Sequence, residues 1–209
     1  MRLAALLFAS SVYSQSMMSL DLWDQRGEAL WKLTKEKVLI GQRVPVKDAP
    51  KEGTPEYRGW NNQQAWLYTK ADYENFDLTF DYWLPIKTNS GIALRDPSRG
   101  AAGMTNPPDY TKTPSKTAYE IQLNNQYADP NPSGSIYNLA KAQDGLQDPY
   151  DWNRMEIRAR PDKITVLING KLAAEHATPP DRPKRGPIGL QLHDRHTLVM
   201  FRNIRIAVR

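Results

Sequence analysis

The chain has 209 residues, a formal net charge of +5 and no cysteine, a length that fits one all-β domain. Its hydrophobic share of 40% and charged share of 24% exclude a disordered or fibrous chain. The lack of cysteine excludes disulfides, thiolate zinc sites and cysteine nucleophiles, and the dispersed basic residues favour a solvated surface over nucleic-acid binding.

The first residues have the composition of a signal peptide. Arg2 gives a positive start, residues 3–9 are apolar, and small polar residues follow, so we expect cleavage before Gln15. A buried N-terminal helix is the alternative. The apolar run is shorter than the ~20 residues of a membrane span. We therefore predict a signal peptide over 1–14, no membrane span, and a periplasmic or secreted mature protein.

Short apolar runs separated by turn residues predict an all-β domain. Sixteen prolines and twelve glycines lie mostly between these runs. Residues 76–84 alternate apolar and polar side chains, with the period of a half-buried strand. Residues 155–168 alternate similarly and lead into Asn169-Gly170, which predicts a hairpin turn. Two loop-like stretches, 96–116 and 129–134 with 143–151, are of the kind that line binding sites.

Three segments, residues 91–95, 119–123 and 188–193, alternate apolar residues with polar or small ones. A period of two puts the two sets on opposite faces of each strand. If the strands share a sheet, one face presents Arg95, Glu120, Gln122, Gln191 and His193, with room above Gly91, Ala93 and Gly189. Amide and ionic side chains match the paired donor and acceptor of a sugar hydroxyl. Each residue alone would indicate a solvated surface, but their coincidence predicts a carbohydrate site.

The same segments resemble the 3-keto-disaccharide hydrolase family, formerly a domain of unknown function. The motifs that carry this resemblance are 89–95 (NSGIALR), 119–123 (YEIQL), 134–137 (GSIY), 152–153 (WN), 189–193 (GLQLH) and 201–204 (FRNI). The resemblance implies an all-β, concanavalin A-like jelly-roll sandwich of two antiparallel sheets that acts on sugars oxidised at carbon 3. We place this domain at 38–209, after a lead-in segment at 15–37. Asn89 and Trp152, which lie in the motifs, join Gln122 and Gln191 as candidate substrate-binding residues.

The sequence departs from the family pattern at four positions. Asn124 and Asn125 stand where Asp is common, Asn138 stands where Asp often follows the tyrosine, and Asp194 stands where Gly is usual. If a replaced Asp carried a metal or a proton, activity would be weakened or lost.

The chemistry that the resemblance implies needs one base, one oxyanion stabiliser and one acid. Ordinary glycoside hydrolysis needs two carboxyl groups, and the strand of Glu120 offers only one. In a 3-keto sugar the ketone acidifies the hydrogen on carbon 2, so a base can remove it and the enolate can expel the group on carbon 1. Glu120 or His193 could be the base and Arg95 the enolate stabiliser, and water addition would complete a net hydrolysis. A divalent cation held by Glu120 and His193 could replace Arg95.

A non-catalytic carbohydrate-binding module is the alternative function. It would use the same face and stack sugar rings on platforms such as Trp60, Trp83 or Trp152. The catalytic candidates Glu120, His193 and Arg95 favour an enzyme instead. A structural or protein-binding exported domain is the third interpretation. In the first two cases the expected partner is an oligosaccharide or a glycoside.

Overall fold

The structure is a computed structural model that describes residues 14–209. The strands are β1 (Ser14–Ser16), β2 (Trp23–Arg26), β3 (Ala29–Leu33), β4 (Val38–Arg43), β5 (Ala65–Thr69), β6 (Phe76–Trp83), β7 (Thr88–Leu94), β8 (Tyr119–Asn125), β9 (Asn153–Ala159), β10 (Lys163–Ile168), β11 (Lys171–Ala177), β12 (Gly189–Leu192) and β13 (Leu198–Val208). The helices are α1 (Pro55–Asn61) and α2 (Pro114–Thr117), with 3-10 turns at Leu20–Leu22 and Ala101–Met104.

The strands form two antiparallel sheets, which confirms the predicted sandwich. One sheet has the order β11-β10-β9-β6-β13-β4-β3, and the other has the order β2-β5-β12-β7-β8. The long strand β13 pairs with β4 over residues 198–202 and with β1 over residues 205–207. Asn203, with a φ of 56°, lies at the register shift between these halves. β1 and β4 therefore follow one another along the same edge of β13.

The alternating segments form strands, as predicted, and these strands belong to the larger sheet. β6 alternates buried and half-buried residues along its whole length, and β9 alternates buried residues with more exposed ones. Asn169 and Gly170 have φ values of 51° and 77° at the turn between β10 and β11. Positive φ at both central residues is what a tight hairpin requires, and asparagine followed by glycine tolerates it.

The core lies between the sheets and combines the apolar faces of both. Phe80 and Phe201 of the larger sheet meet edge-on, with ring centroids 5.7 Å apart. Ile92 and Ile121 of the smaller sheet are fully buried in the same cluster. Each such side chain stabilises the fold by about 1.5–3 kcal/mol relative to exposure. The outward face of the smaller sheet therefore takes no part in the packing between the two sheets.

The N-terminal part of the chain differs from its predicted role. The segment at 15–37, expected to be a lead-in, supplies β2 to the smaller sheet and β3 to the larger sheet. The predicted signal peptide lies outside the described residues except for Ser14, where β1 begins. Within residues 14–209, no helix is long and apolar enough to cross a membrane.

Candidate functional site

The three segments with polar faces form adjacent strands of the smaller sheet, as their period of two predicts. Strands β12, β7 and β8 lie side by side, with β5 beyond β12. Their outward residues form rows across the sheet: Tyr68, Gly189, Ala93 and Glu120 in one row, and Trp66, Gln191, Gly91 and Gln122 in the next. One end of each row is aromatic and the other end is polar.

The aromatic half of this face is filled by protein. Tyr68 donates a 2.5 Å hydrogen bond from its hydroxyl to Asp96, and Trp66 packs beneath Gly100. A Cβ on Gly189 would lie 2.5 Å from the Tyr68 ring, so only glycine leaves room for it. The loop that carries Asp96 and Gly100 thus covers the β5 side of the face. The open part of the face is left over β7 and β8.

A cavity of about 270 Å³ lies over this polar half, and we call it the floor pocket. It is lined by Gln64, Asn89, Tyr110, Thr113, Ser115, Lys116, Glu120, Gln122, Asp129, Tyr137, Asn138 and His193. The loops at 96–116 and 129–134 both contribute to its walls. A larger cavity of about 520 Å³ lies on the outer face of the other sheet, where Asp77 already pairs with Arg160 and Arg209.

Glu120 is buried in the floor of the pocket, with 5% of its surface exposed. A Cβ on Gly91 would lie 2.7 Å from Glu120 Oε1 and 3.2 Å from Gln191 Oε1, so the carboxyl occupies the space that Gly91 leaves empty. Burial raises the pKa of Glu120 from 4.5 to about 7, although His193 and the Gln191 amide oppose the shift. A carboxyl with such a pKa can take up and release a proton near neutral pH.

The amides around Glu120 have hydrogen-bonding atoms that no residue of 14–209 satisfies. These buried atoms are Gln122 Nε2, Asn89 Oδ1, Gln64 Oε1 and Gln191 Oε1. An unsatisfied buried polar group costs about 1–3 kcal/mol. Three of these amides line the floor pocket, where a ligand rich in hydroxyl groups would complete their hydrogen bonds.

His193 follows the end of β12 and stands at the edge of the pocket. Its Nδ1 lies 3.5 Å from Asp194 Oδ2, and its ring meets Tyr127 edge-on with centroids 5.6 Å apart. Burial by itself raises the pKa of Asp194, but His193, the His196 amide and Tyr127 together lower it below its ordinary value. Asp194 is therefore held as a carboxylate beside the His193 ring.

Asp129 and Tyr137 are among the pocket residues that were not predicted from the sequence. Tyr137 donates its hydroxyl to Asp129 Oδ2 at 2.8 Å and its backbone N–H to the Glu120 carbonyl at 2.8 Å. The segment 134–140 pairs with the free edge of β8 through Ile121 and Ile136. The GSIY motif could have indicated Tyr137, because Tyr137 is its last residue and the motif borders Glu120. For Asp129 the only signal in the sequence was its place at the start of the loop-like stretch 129–134.

Two predicted site residues lie elsewhere, and the predictions for them were wrong. Arg95 has a φ of 54°, which ends the alternation of β7 and turns its side chain away from the pocket. It is fully buried and donates to the carbonyls of Glu74 and Arg160 at 2.6–2.9 Å. Trp152 packs under the guanidinium of Arg202 on the outer face of the other sheet. The guanidinium carbon lies 4.3 Å from the centroid of the Trp152 ring.

The asparagines that replace family aspartates hold loops in place. Asn124 donates to the carbonyls of Asp129 and Asn131 at 3.2 and 3.0 Å. Asn125 donates to two further loop carbonyls, each at 2.8 Å. A carboxylate could not donate these bonds. At Asn124 the replacement supports the wall of the pocket, which includes Asp129.

The described residues contain no group of three or more His, Cys, Asp or Glu side chains placed to hold a metal ion. Glu120 and His193, the two ligands considered for a divalent cation, both line the floor pocket. The divalent cation stays a prediction.

Comparison with known proteins points to one family. The sequence model of the 3-keto-alpha-glucoside-1,2-lyase-like domain matches residues 18–207. No curated protein sequence matches this chain. The family match includes residues 18–37, in agreement with the strands that this segment contributes.

Solved structures share the fold. A candidate glycosyl hydrolase from Parabacteroides distasonis ATCC 8503 is 23% identical, with a TM-score of 0.65 over 94% of this chain and all of its own. A Bacillus subtilis protein of unknown function with a galectin-like fold has a TM-score of 0.61 and 14% identity, over 95% of this chain and 97% of that one. A B. subtilis carbohydrate-binding module has a TM-score of 0.53 and 12% identity, over 89% and 95%. At these identities the likeness concerns the fold.

Gly91→Ala should move the Glu120 carboxyl, because its Cβ would take the space of Oε1. We expect the pKa of Glu120 to fall from about 7 toward its ordinary value as the group is pushed to solvent. Carbon-13 NMR titration of labelled glutamate carboxyls measures this shift. Gly41→Ala is the matched control, since its Cβ would lie 2.4 Å from the Trp31 ring in the other sheet. An unchanged pKa in Gly91→Ala would contradict the placement.

Glu120→Gln should stabilise the protein at alkaline pH. The raised pKa means that the folded protein loses stability as pH rises from about 4.5 to about 7. The variant avoids this loss. We therefore expect its free energy of unfolding to exceed that of the parent by about 1–3 kcal/mol at pH 8 and to equal it near pH 4. Denaturant unfolding at the two pH values measures the difference.

Glu175→Gln is the control of opposite sign for this experiment. Hydrogen bonds from Thr165 and Lys163 lower the pKa of Glu175, so its replacement should cost stability at pH 8 rather than add it. If Glu120→Gln is no more stable than the parent at pH 8, the Glu120 carboxyl is solvated and not buried in the floor of the pocket.

Proposed function

Because the chain belongs to the 3-keto-alpha-glucoside-1,2-lyase-like family, we propose that it cleaves the glycosidic bond of 3-keto-glycosides in the floor pocket. The reaction begins as an elimination, and addition of water makes it a net hydrolysis. Glu120 carries this proposal, since it is a buried carboxyl with a pKa of about 7 among amides that lack partners in residues 14–209.

Glu120 acts as the base. Its carboxylate takes the proton from carbon 2, and the electron pair of that bond forms the carbon 2–carbon 3 double bond of an enolate. When the ketone re-forms, the electrons move between carbons 1 and 2, and the bond from carbon 1 to the leaving oxygen breaks. His193, which lies beside the Asp194 carboxylate, acts as the general acid and gives a proton to that oxygen. Addition of water across the new double bond restores a free 3-keto sugar.

The enolate oxygen needs a donor other than Arg95, whose side chain is directed elsewhere. Gln122 Nε2 is buried, finds no acceptor within residues 14–209 and belongs to the pocket lining. Lys116 is the lysine of the same lining. A preorganised amide donor and a nearby ammonium group stabilise charge that develops on the ketone oxygen. We assign this role to Gln122 with Lys116.

The main alternative is a binding module with the same fold as the B. subtilis carbohydrate-binding module. The unsatisfied amides of Gln122 and Asn89 would serve a bound sugar in either case. Glu120 separates the two functions, because desolvating a carboxyl until its pKa is near neutral is characteristic of acid–base catalysis. Simple hydroxyl recognition does not require it.

Glu120→Gln and His193→Ala should each lower kcat on a 3-keto-disaccharide by roughly 100-fold or more, as expected for loss of a general base or acid. In the parent, kcat/KM should rise with pH through about 7, because Glu120 must be deprotonated to act. Glu156→Gln and His176→Ala, both on strands of the other sheet, are the matched controls.

The unmodified disaccharide should not be cleaved, because without the ketone the hydrogen on carbon 2 is not acidic enough to remove. Full activity of both variants would place the chemistry elsewhere. Sugar binding by calorimetry with no turnover would favour the binding module.

A further inference from the structure

A second cavity of about 270 Å³ adjoins the floor pocket, and Tyr110 lines both. We call it the proline cavity, because Pro55, Pro107 and Pro108 contribute to its wall together with Arg58. Tyr110 is 46% exposed. Tyr110 thus lies between a polar cavity and a largely apolar one.

Tyr110 and His193 both line the floor pocket. Burial raises the pKa of Tyr110, and the charge of Asp194 raises it further. Asp194 in turn contacts His193 at 3.5 Å. Since His193 protonates the leaving oxygen in the proposed reaction, the group attached to that oxygen lies toward Tyr110 and the proline cavity.

The proline cavity is held open by rigid neighbours. Helix α1 begins with Pro55 and is capped by Thr54, whose hydroxyl accepts from the Tyr57 amide at 3.1 Å. A Cβ on Gly59 would lie 2.7 Å from Asn106 Oδ1, so the helix approaches the loop at 105–110 closely. A preformed cavity spares a ligand the cost of ordering its own site.

The lining chemistry selects the ligand. Among the described residues that line the proline cavity, polar side chains come only from Arg58, Asn62 and Tyr110. A second sugar ring would bury several hydroxyls against proline rings without partners, which is unfavourable. An aromatic ring can stack on a tyrosine and beneath a guanidinium. A volume of about 270 Å³ is just below the ~300–1,000 Å³ of sites for drug-sized ligands, so it holds one small ring system.

We propose that the proline cavity binds a planar, apolar aglycone, so that the preferred substrates are aryl 3-keto-glycosides. This inference rests on the proposed function for the orientation of the sugar. It goes beyond that function by assigning the leaving group to a second binding site.

Calorimetry on the whole protein tests the site without turnover. Phenyl α-D-glucopyranoside should bind roughly tenfold more tightly than methyl α-D-glucopyranoside, because only the phenyl group reaches the proline cavity. Tyr110→Ala should remove the preference and Tyr110→Phe should keep it, since the ring and not the hydroxyl makes the contact. Tyr150→Ala, at a tyrosine that is 74% exposed, is the control and should keep the preference.

A kinetic arm separates this inference from the proposed function. Tyr110→Ala should lower the ratio of kcat/KM for phenyl over methyl 3-keto-α-glucoside about tenfold, and the intrinsic reactivities of the leaving groups cancel when the same pair is compared between variants. Equal affinities for the two glucosides, no measurable binding of the phenyl glucoside, or a preference that survives Tyr110→Ala would overturn the aglycone site. Tyr110-dependent binding without any turnover would instead reject the proposed function and support the site.

Discussion

Glu120 has to be kept out of water on the face of a sheet that points away from the core, and the local structure follows from that requirement. Gly91 leaves the space into which the carboxyl folds, and Gln191 lies beside it. Tyr137 ties the GSIY motif, of which it is the last residue, to the backbone of Glu120 itself. Desolvation then outweighs the attraction of His193 and sets a pKa near 7. Without this burial the face would be an ordinary polar surface.

The two halves of the face have different physical roles. On the β5 side, Trp66 and Tyr68 are fully buried under the loop that carries Asp96, and this burial contributes stability. On the β8 side, Gln122 and Asn89 keep atoms without partners in residues 14–209, and this costs stability that a bound ligand would restore. The pocket is thus supported by a rigid, well-packed neighbour within the same sheet.

The fold and the floor of the site could be predicted because both depend on a period of two. That period put Glu120 and Gln122 on one face, and the strand pairing brought them beside Gln191. The period of two gave the wrong direction for the Arg95 side chain. A positive φ ends the alternation at this residue, and no glycine or asparagine signals the change. Asp129 was missed because a loop brings it to the pocket, and loop positions carry no period.

The proposed reaction depends most directly on removal of the hydrogen from carbon 2. A 3-keto-disaccharide labelled with deuterium at carbon 2 tests this, with the cleaved sugar analysed by mass spectrometry. We expect slower cleavage of the labelled substrate and a product that has lost its deuterium, because addition of water returns a solvent proton to carbon 2. A cleaved sugar that retains its full deuterium label would contradict the proposed reaction.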